Sequence, residues 1–222
     1  MNKRSLKDLL YEQVARIGKS LASPKRLELV ELLAQGEKSV ETLASQAGID
    51  MRLASAHLKA LREARLVETR REGKYIYYRL SGQDVSQLWV ALREVAEEHL
   101  VELRVALEQI AAQPGTLVSE SRESLLEKAR QGEVVVIDVR PASEFNAGHL
   151  PFARSLPLDE LEQRLADLPA DRTIVAYCRG PFCLMSDEAV QLLRARGFTA
   201  MKISDGVSEW AAVGLPIETS AE

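Results

Sequence analysis

The chain has 222 residues, of which 46% are hydrophobic and 28% charged, and its formal net charge is −4. This length allows one large domain or two small ones, and the composition excludes a disordered chain. No apolar run approaches the roughly 18 residues of a membrane span, and no apolar segment follows the basic N-terminus. We therefore expect neither a transmembrane helix nor a signal peptide, and a cytoplasmic protein with no membrane partner.

The first part of the chain has apolar residues at helical spacing and clear helix-start signals. Ser23-Pro24 predicts a helix that ends near Gly36. A short helix follows at about 39–47, and Gly48 makes a turn. Asp50 can then cap a second helix that ends near residue 64. These elements predict a helix-turn-helix.

The spacing changes after this helix pair. Residues 66–71 and 74–80 are rich in Val, Ile, Thr and Tyr and flank Glu72-Gly73, which predicts a β-hairpin. A long helix over about 83–111 carries one narrow apolar stripe at three- and four-residue spacing, typical of pairing with a second copy. The stripe contains Leu88, Leu92, Val95, His99, Leu103, Ala106 and Ile110. Gln113-Pro114-Gly115 ends this domain, so we predict domains at 1–112 and 113–222.

The helix-turn-helix and hairpin carry side chains suited to double-stranded DNA. Segment 39–79 contains eight basic and five acidic residues, although the chain as a whole is acidic. Short polar side chains on the second helix can reach base edges, while Lys and Arg on that helix and at the hairpin tip can contact phosphates. The predicted DNA-binding residues are Arg52, Ser55, Ala56, His57, Lys59, Arg70, Arg71 and Lys74.

Residues 20–80 resemble the ArsR-type bacterial repressors. The resemblance is carried by the segment from Leu58 to Val67, by Arg70-Arg71-Glu72-Gly73-Lys74 and by Tyr77-Tyr78-Arg79-Leu80. It implies a winged helix-turn-helix that binds an operator as a homodimer, with 83–111 as the dimerisation helix. Many members bind metal through thiols at the position of 39–44, where this chain has none. His99 and Glu102 alone do not complete a zinc site, so we predict no metal and no cofactor.

The second half predicts an α/β domain. Val134–Val139 and Thr173–Tyr177 are nearly all apolar, as in parallel strands buried on both faces. Helical segments lie near 121–131, 158–167 and 184–196. The overall class is therefore a two-domain α+β protein with an α/β C-terminal domain.

The chain's two cysteines lie in one loop, Cys178-Arg179-Gly180-Pro181-Phe182-Cys183, between a buried strand and a helix start. Loop N–H groups and the helix N-terminus stabilise a thiolate at Cys178, and Arg179 can bind an anionic donor. Such a thiolate can take up a sulfane sulfur as a persulfide. Cys183 is either a small packing residue or a resolving thiol that closes a bond to Cys178.

Residues 117–217 resemble rhodanese domains. The resemblance is carried by Ile137-Asp138-Val139-Arg140, Glu144-Phe145, Gly148-His149-Leu150-Pro151, Tyr177-Cys178-Arg179-Gly180 and two later motifs, Asp205-Gly206-Val207-Ser208-Glu209-Trp210 and Gly214-Leu215-Pro216-Ile217. It implies a parallel five-stranded sheet, with Cys178 as persulfide carrier and Arg179 as substrate-binding residue. We expect Asp138, Arg140 and His149 to be structural. Phe152 stands where the family commonly has Gly.

Three functions remain open from the sequence. The first is a transcriptional regulator, expected to be a repressor, whose rhodanese domain loads or senses sulfane sulfur, from a small sulfur donor or anion, at Cys178. The alternative is a sulfurtransferase enzyme, using a thiosulfate or persulfide donor, with an accessory DNA-binding module. The third is an interaction protein that uses the rhodanese fold only as a scaffold, although the presence of Cys178 argues against it.

Overall fold

The computed structural model describes residues 2–110 and 118–220. They form two compact units, one up to Trp89 and one from Val90 onward. The predicted domain boundary at 112/113, with Gln113-Pro114-Gly115, lies outside the described residues and stays a prediction. None of the helices formed by described residues is long and apolar enough to cross a membrane.

The first unit contains four helices and a small antiparallel sheet, followed by the start of a fifth helix. Three strands pair in the order β1-β3-β2, with Thr69 opposite Tyr78 in the hairpin. The elements are α1 Lys3–Leu21, α2 Pro24–Ala34, β1 Lys38–Ser39, α3 Val40–Gln46, α4 Met51–Glu63, β2 Val67–Glu72, β3 Tyr75–Leu80 and α5 Gln83–His99. This order confirms the predicted winged helix-turn-helix.

Local signals explain the helix pair at the centre of this unit. The Asp50 carboxylate accepts a hydrogen bond from Leu53 N at 3.0 Å, as its predicted capping role requires. Ser39 caps α3 in the same way. Ser23 occupies the N-cap position of α2 and Pro24 is the first helical residue. The Ser23 side chain makes no capping hydrogen bond. Fully buried leucines of α2, α3 and α4 form the core beneath the two helices.

The long helix expected over 83–111 is interrupted. Helix α5 ends at His99, and α6 spans Val101–Ile110. Leu100 N donates to Ala96 O at 2.8 Å, while the Leu100 carbonyl accepts from Leu103 N at 3.1 Å and so begins the next helix. No Gly or Pro marks this position, so the apolar spacing alone predicted one continuous helix. Ala111 lies outside the described residues.

The second unit is built on a parallel sheet. Its strands are β4 Val134–Asp138, β5 Arg154–Ser155, β6 Thr173–Tyr177 and β7 Ala200–Lys202, in the spatial order β5-β4-β6-β7. Besides α6, its helices are α7 Arg122–Gln131, α8 Ala142–Ala147, α9 Leu158–Leu161, α10 Met185–Ala195 and α11 Val207–Ala212, with a 3-10 turn at Leu165–Asp167.

The expectation of five strands is not met among the described residues, which form four. Val118 N donates to Lys202 O at 2.9 Å beside β7, but this single bond makes no strand. Residues 111–117, directly before Val118, lie outside the described part of the chain. The remaining expectation, a parallel rhodanese-like sheet with helices, is confirmed.

Both faces of this sheet are covered, which explains the unbroken apolar strands. Val135 and Ile137 of β4 join a core with Ile174 and Leu193 on one face. Val136 packs on the other face in a core that includes Leu125, Tyr177 and Trp210. Alternate residues of one strand thus enter opposite cores, as the period of two requires.

A buried polar network joins the ends of β4 and β6. Arg140 donates from its backbone N and its Nε to Asp138 Oδ1 at 3.0 and 2.9 Å, and from Nη2 to the Gly148 carbonyl at 2.7 Å. The Tyr177 hydroxyl donates to Asp138 Oδ2 at 2.6 Å and accepts from Leu150 N at 3.1 Å. Burial, followed by the Asp138 charge, raises the pKa of Tyr177 well above its ordinary value. The network fixes the strand end next to the cysteine loop.

Arg140→Met keeps the side-chain bulk but leaves the fully buried Asp138 carboxylate without its cation. We expect the free energy of unfolding of this unit to fall by about 3–5 kcal/mol, measured by urea denaturation and circular dichroism. Arg130→Met, in an exposed pair with Glu127, is the matched control and should lower the free energy of unfolding far less, because solvent screens this pair. Equal losses in the two variants would contradict this role of the network.

Candidate sulfur-binding loop and DNA-binding surface

The Cys178 loop begins at the carboxyl end of β6 and runs to the N-terminus of α10. Cys183 N donates to the Gly180 carbonyl at 3.1 Å, which closes a tight turn. Gly180 has a φ of +143°, a conformation that L side chains rarely adopt. The loop therefore curls around the Cys178 side chain, as the sequence predicted.

The Cys178 sulfur is almost completely enclosed, with 2% of the residue exposed. Its Sγ lies 3.3 Å from the Ser186 hydroxyl and 3.3 Å from the Cys183 carbonyl oxygen. Burial alone raises the pKa of a thiol. Hydrogen bonds from the Cys183 side chain, the Ser186 hydroxyl and the backbone N–H groups of Ser186 and Gly180 outweigh it and lower the pKa of Cys178 to about 6. The thiolate therefore predominates at neutral pH.

Cys183 has the opposite character. Both cysteines are free, and Cys183 is partly buried at the end of the same loop. Its hydrogen bond to Cys178, together with burial, raises its pKa far above that of an ordinary thiol. The loop therefore holds one thiolate and one protonated thiol. This asymmetry suits a nucleophile with a resolving partner, and Cys183 also packs against the core beside α10.

Arg179 does not point to an open anion site. Its Nε donates to Glu144 Oε2 at 2.9 Å and its Nη2 to Glu144 Oε1 at 2.7 Å. Glu144, on α8, is 1% exposed, so its carboxylate is withdrawn from solvent. The expectation that Arg179 offers its charge to an anionic donor therefore does not fit this arrangement, since a buried carboxylate already occupies the guanidinium.

A cavity of about 360 Å³ adjoins the loop inside the second unit, and Cys183 and Ser186 line it. Three cations line it, and each faces a carboxylate: Arg93 pairs with Glu209, Arg122 with Asp205, and Lys202 with Asp187. Five carboxylates line the same cavity, including Glu94 and Glu108. The lining is therefore net negative, which disfavours a doubly charged anion.

The three residues expected to be structural have structural partners. Asp138 and Arg140 bind each other and the strand ends, as described above. His149 Nδ1 lies 2.8 Å from the Phe145 carbonyl, and its ring stacks on Phe145 at 3.7 Å between centroids. Phe152 has a φ of +63°, in the left-handed region, where Gly would fit without strain.

Helix α4 presents the residues predicted to read DNA. Arg52, Ser55, Ala56 and Lys59 are all exposed, and His57 is partly exposed beside them. The opposite side of α4, with Ala54, Leu58 and Leu61, is fully buried. The helix is thus anchored by one face while the predicted contact residues share the outer one.

The three basic residues of the hairpin differ in whether their side chains pair with carboxylates. Arg70 donates to Glu37 Oε2 from Nη2 and to Glu72 Oε2 from Nη1, each at 2.6 Å. These hydrogen bonds raise the pKa of Arg70, and its guanidinium already serves two carboxylates. Arg71 donates to the Gly73 carbonyl at 3.2 Å, and Lys74 lies over the Tyr75 ring at 5.2 Å. Neither is paired with a carboxylate among the described residues, in contrast to Arg70.

Comparison with known proteins bears on both units. The pattern of the "Bacterial regulatory protein, arsR family" matches residues 23–69, and that of the "Rhodanese-like domain" matches 121–213. The HTH-type transcriptional regulator Rv0324 of Mycobacterium tuberculosis is 45% identical over 215 residues, covering 97% of this chain and 94% of its own length. This chain belongs to the ArsR family of transcriptional regulators. Its C-terminal half is a rhodanese-like domain.

Two further proteins resemble the separate halves of this ArsR-family regulator. The solution structure of the homodimeric winged helix-turn-helix DNA-binding domain of Mb0332 from Mycobacterium bovis is 47% identical, with a TM-score of 0.42. It covers 46% of this chain and 93% of that one. A sulfurtransferase of Allochromatium vinosum is 33% identical over 97 residues, covering 43% of this chain and 89% of its own length.

Several residues that surround the regulator's Cys178 loop were not identified from its sequence. Ser186 lies eight positions after Cys178, where only the first turn of the following helix marks it. Glu144 belongs to a motif that carried the rhodanese resemblance, but its pairing with Arg179 spans 35 positions. Glu209 and Arg93 are 116 positions apart and meet only in the fold. Spacing along the chain does not reveal such pairs.

The Cys178 thiolate of this regulator should titrate with a midpoint near pH 6, followed by its ultraviolet absorbance in the reduced protein. Ser186→Ala removes a hydrogen bond that favours the charged form, so the midpoint should rise toward the roughly 8.5 of a free thiol. Ser124→Ala, on α7, should leave it unchanged. A wild-type midpoint near that of a free thiol, or no change with Ser186→Ala, would contradict the assignment.

Proposed function

We propose that this regulator is a repressor that binds operator DNA as a homodimer and that loading of sulfane sulfur on Cys178 lowers its operator affinity. The observation that carries the proposal is the enclosed Cys178 thiolate in a chain that also has a DNA-binding helix-turn-helix. Such a protein works where the chromosome is, in the cytoplasm.

The outer face of α4 supports the DNA contact. Arg52, Ser55, Ala56, His57 and Lys59 would face the major groove, because they lie opposite the buried side of a helix that follows the turn. The hairpin tip would reach flanking phosphates through Arg71 and Lys74, with Arg70 contributing less because of its two carboxylate partners.

Exposed apolar side chains support the homodimer. Helix α1 exposes Leu10, Tyr11 and Val14 by 60–71%. On α5, Leu88, Leu92 and Val95 are exposed by 40–58% at the spacing of one helix face. A second copy would remove this apolar surface from water, which is the ordinary driving force of obligate dimers.

The sulfur step needs no further base, because Cys178 is already ionised. The thiolate attacks the outer sulfur of a persulfide R–S–S–H. A bond forms between Cys178 Sγ and that sulfur, the S–S bond of the donor breaks, and R–S⁻ leaves with the electron pair. Cys183, still protonated, would then attack the inner sulfur only after losing its proton, which favours storage of the persulfide over immediate release.

The charges around the loop favour a persulfide over thiosulfate as donor. Arg179 is occupied by Glu144, and carboxylates outnumber cations in the adjoining cavity by five to three. A small persulfide carries at most one negative charge, whereas thiosulfate carries two. The same observation weighs against the alternative of a thiosulfate sulfurtransferase.

The DNA surface is tested by alanine variants on duplexes selected from a random pool, with fluorescence anisotropy as the measurement. Lys59→Ala should weaken binding on all sequences and reduce the salt slope by about 1. Arg71→Ala should weaken binding more than Arg70→Ala, since Arg70 already serves Glu37 and Glu72. Lys128→Ala, on α7 of the rhodanese domain, is the control. An effect of that control equal to Lys59→Ala would reject the proposed surface.

The sulfur response is tested on the same operator. Loading with hydroxyethyl persulfide, verified by mass spectrometry, should lower operator affinity about 5–150-fold, the usual range of allosteric coupling. Cys178→Ser should bind DNA as the reduced wild type does and show no response. Verified loading without a change in affinity would reject the proposal.

The donor preference is read from the same loading experiment. Glu94→Gln combined with Glu108→Gln should accelerate loading by thiosulfate more than loading by hydroxyethyl persulfide, because only the dianion meets two units of repulsion. Equal acceleration of both donors would leave no support for charge selection.

A further inference from the structure

The carboxylate of Glu209 lies directly behind the cysteine loop. Its Oε2 accepts a hydrogen bond from Gly206 N at 2.7 Å. A Cβ on Gly180 would lie 3.1 and 3.2 Å from the two Glu209 oxygens, so the Gly180 backbone packs against this carboxylate. Glu209 is 3% exposed and cannot turn to water.

Glu209 is held in turn by helix α5. Arg93 Nη1 donates to Glu209 Oε1 at 2.6 Å, and Arg93 Nε lies 3.0 Å from Glu97 one turn further along the helix. The Arg93 guanidinium also lies 5.9 Å from the centroid of the Phe182 ring, within the cysteine loop. Arg93 is 4% exposed. One side chain of α5 therefore contacts both the loop and the residue that supports it.

Stability alone does not account for this pair. Replacing a buried ion pair with apolar residues of similar volume is often neutral or stabilising, because desolvation cancels much of the attraction. Removing one partner, by contrast, leaves a buried charge uncompensated. The pair therefore constrains where α5 lies against the loop more than it adds to the free energy of folding.

The backbone of the cysteine loop packs closely against Gly206, the residue that precedes α11. A Cβ on Gly206 would lie 2.5 Å from the Arg179 carbonyl oxygen and 2.7 Å from that of Cys178. Gly206 is thus in direct backbone contact with the loop, and its N–H is bonded to Glu209. Displacement of the loop toward α11 must shift Gly206 and the Glu209 carboxylate together.

We infer that the Arg93–Glu209 pair is the connection through which the chemical state of Cys178 changes helix α5, with Arg93 as a positioning residue. The inference rests on the proposed function, because α5 carries Leu88, Leu92 and Val95 of the proposed dimer face. Helix α5 begins at Gln83 in the first unit and continues through Arg93 in the second. A shift of Arg93 is therefore a shift of the helix that presents that face.

The first experiment measures the pair without DNA. Urea unfolding of full-length wild type, Arg93→Met, Glu209→Gln and the double variant yields the coupling between the two residues, in reduced and in persulfide-loaded protein. We expect the coupling to differ between the two states. The exposed pair of Arg130 and Glu127 is the control, with no difference expected. Equal Arg93–Glu209 coupling in both states overturns the inference.

The second experiment measures operator affinity before and after loading with hydroxyethyl persulfide. Arg93→Met should bind operator within about twofold of reduced wild type yet lose most of the response to loading, and Arg93→Lys should restore part of it. A full response in Arg93→Met, with loading verified, overturns the inference and leaves the proposed function intact. If wild type itself does not respond, the proposed function fails, and the coupling measured by unfolding decides the inference alone.

If Arg93→Met does not fold, Glu209→Gln takes its place in both experiments. Glu209→Gln keeps the shape and the acceptor for Gly206 N but removes the charge that Arg93 requires. It should weaken the response while Cys178 still loads. A Glu209→Gln protein that loads and responds as wild type does would also overturn the inference.

Discussion

Asp138 brings a carboxylate to the buried end of β4, where no water solvates it. Its charge is balanced by Arg140, and the Tyr177 hydroxyl donates to the same carboxylate. Tyr177 is the last residue of β6 and precedes Cys178 directly. Because this network joins the ends of two neighbouring strands, it fixes the point at which the cysteine loop begins. The geometry around the sulfur depends on that starting point.

The loop stabilises its thiolate with neutral dipoles. The one arginine within it, Arg179, is drawn to the buried carboxylate of Glu144. The Cys178 sulfur depends instead on the hydroxyl of Ser186, on backbone N–H groups and on the Cys183 thiol. These hydrogen bonds lower the pKa of the thiol, while the charge of Arg179 is directed to Glu144. A persulfide, which also carries its charge on sulfur, would be stabilised by the same donors.

The opposite pKa shifts of Cys178 and Cys183 give the two thiols of the loop different reactivities. The thiolate is the group that can attack a donor, while the second thiol stays unreactive until the first has lost its charge. The backbone of the loop also packs directly against Gly206 and Glu209. The donors that lower the pKa of the Cys178 thiol therefore belong to a loop that is itself held against buried neighbours.

The amount that the sequence predicted varies with the range of the interaction. Asp50 as a helix cap, the hairpin around Gly73 and the buried strand at 134–139 were all predicted, because each is set by neighbours within a few positions. The break at Leu100 was not, since no Gly or Pro marks it. The ion pair between Arg70 and Glu37 was also missed. Glu37 directly precedes β1, and β1 comes next to the hairpin only through sheet pairing.

The sequence by itself determined the two domain types, the exposed face of α4 and the placement of Cys178 between a strand and a helix. Periodicity and motif order carry this information locally, and folding does not alter it. Only the tertiary structure decided which charges meet. Arg179 forms an ion pair with Glu144, and Arg93 forms one with Glu209, 116 positions away. A buried charge requires a partner, and the fold determines which oppositely charged side chain lies close enough.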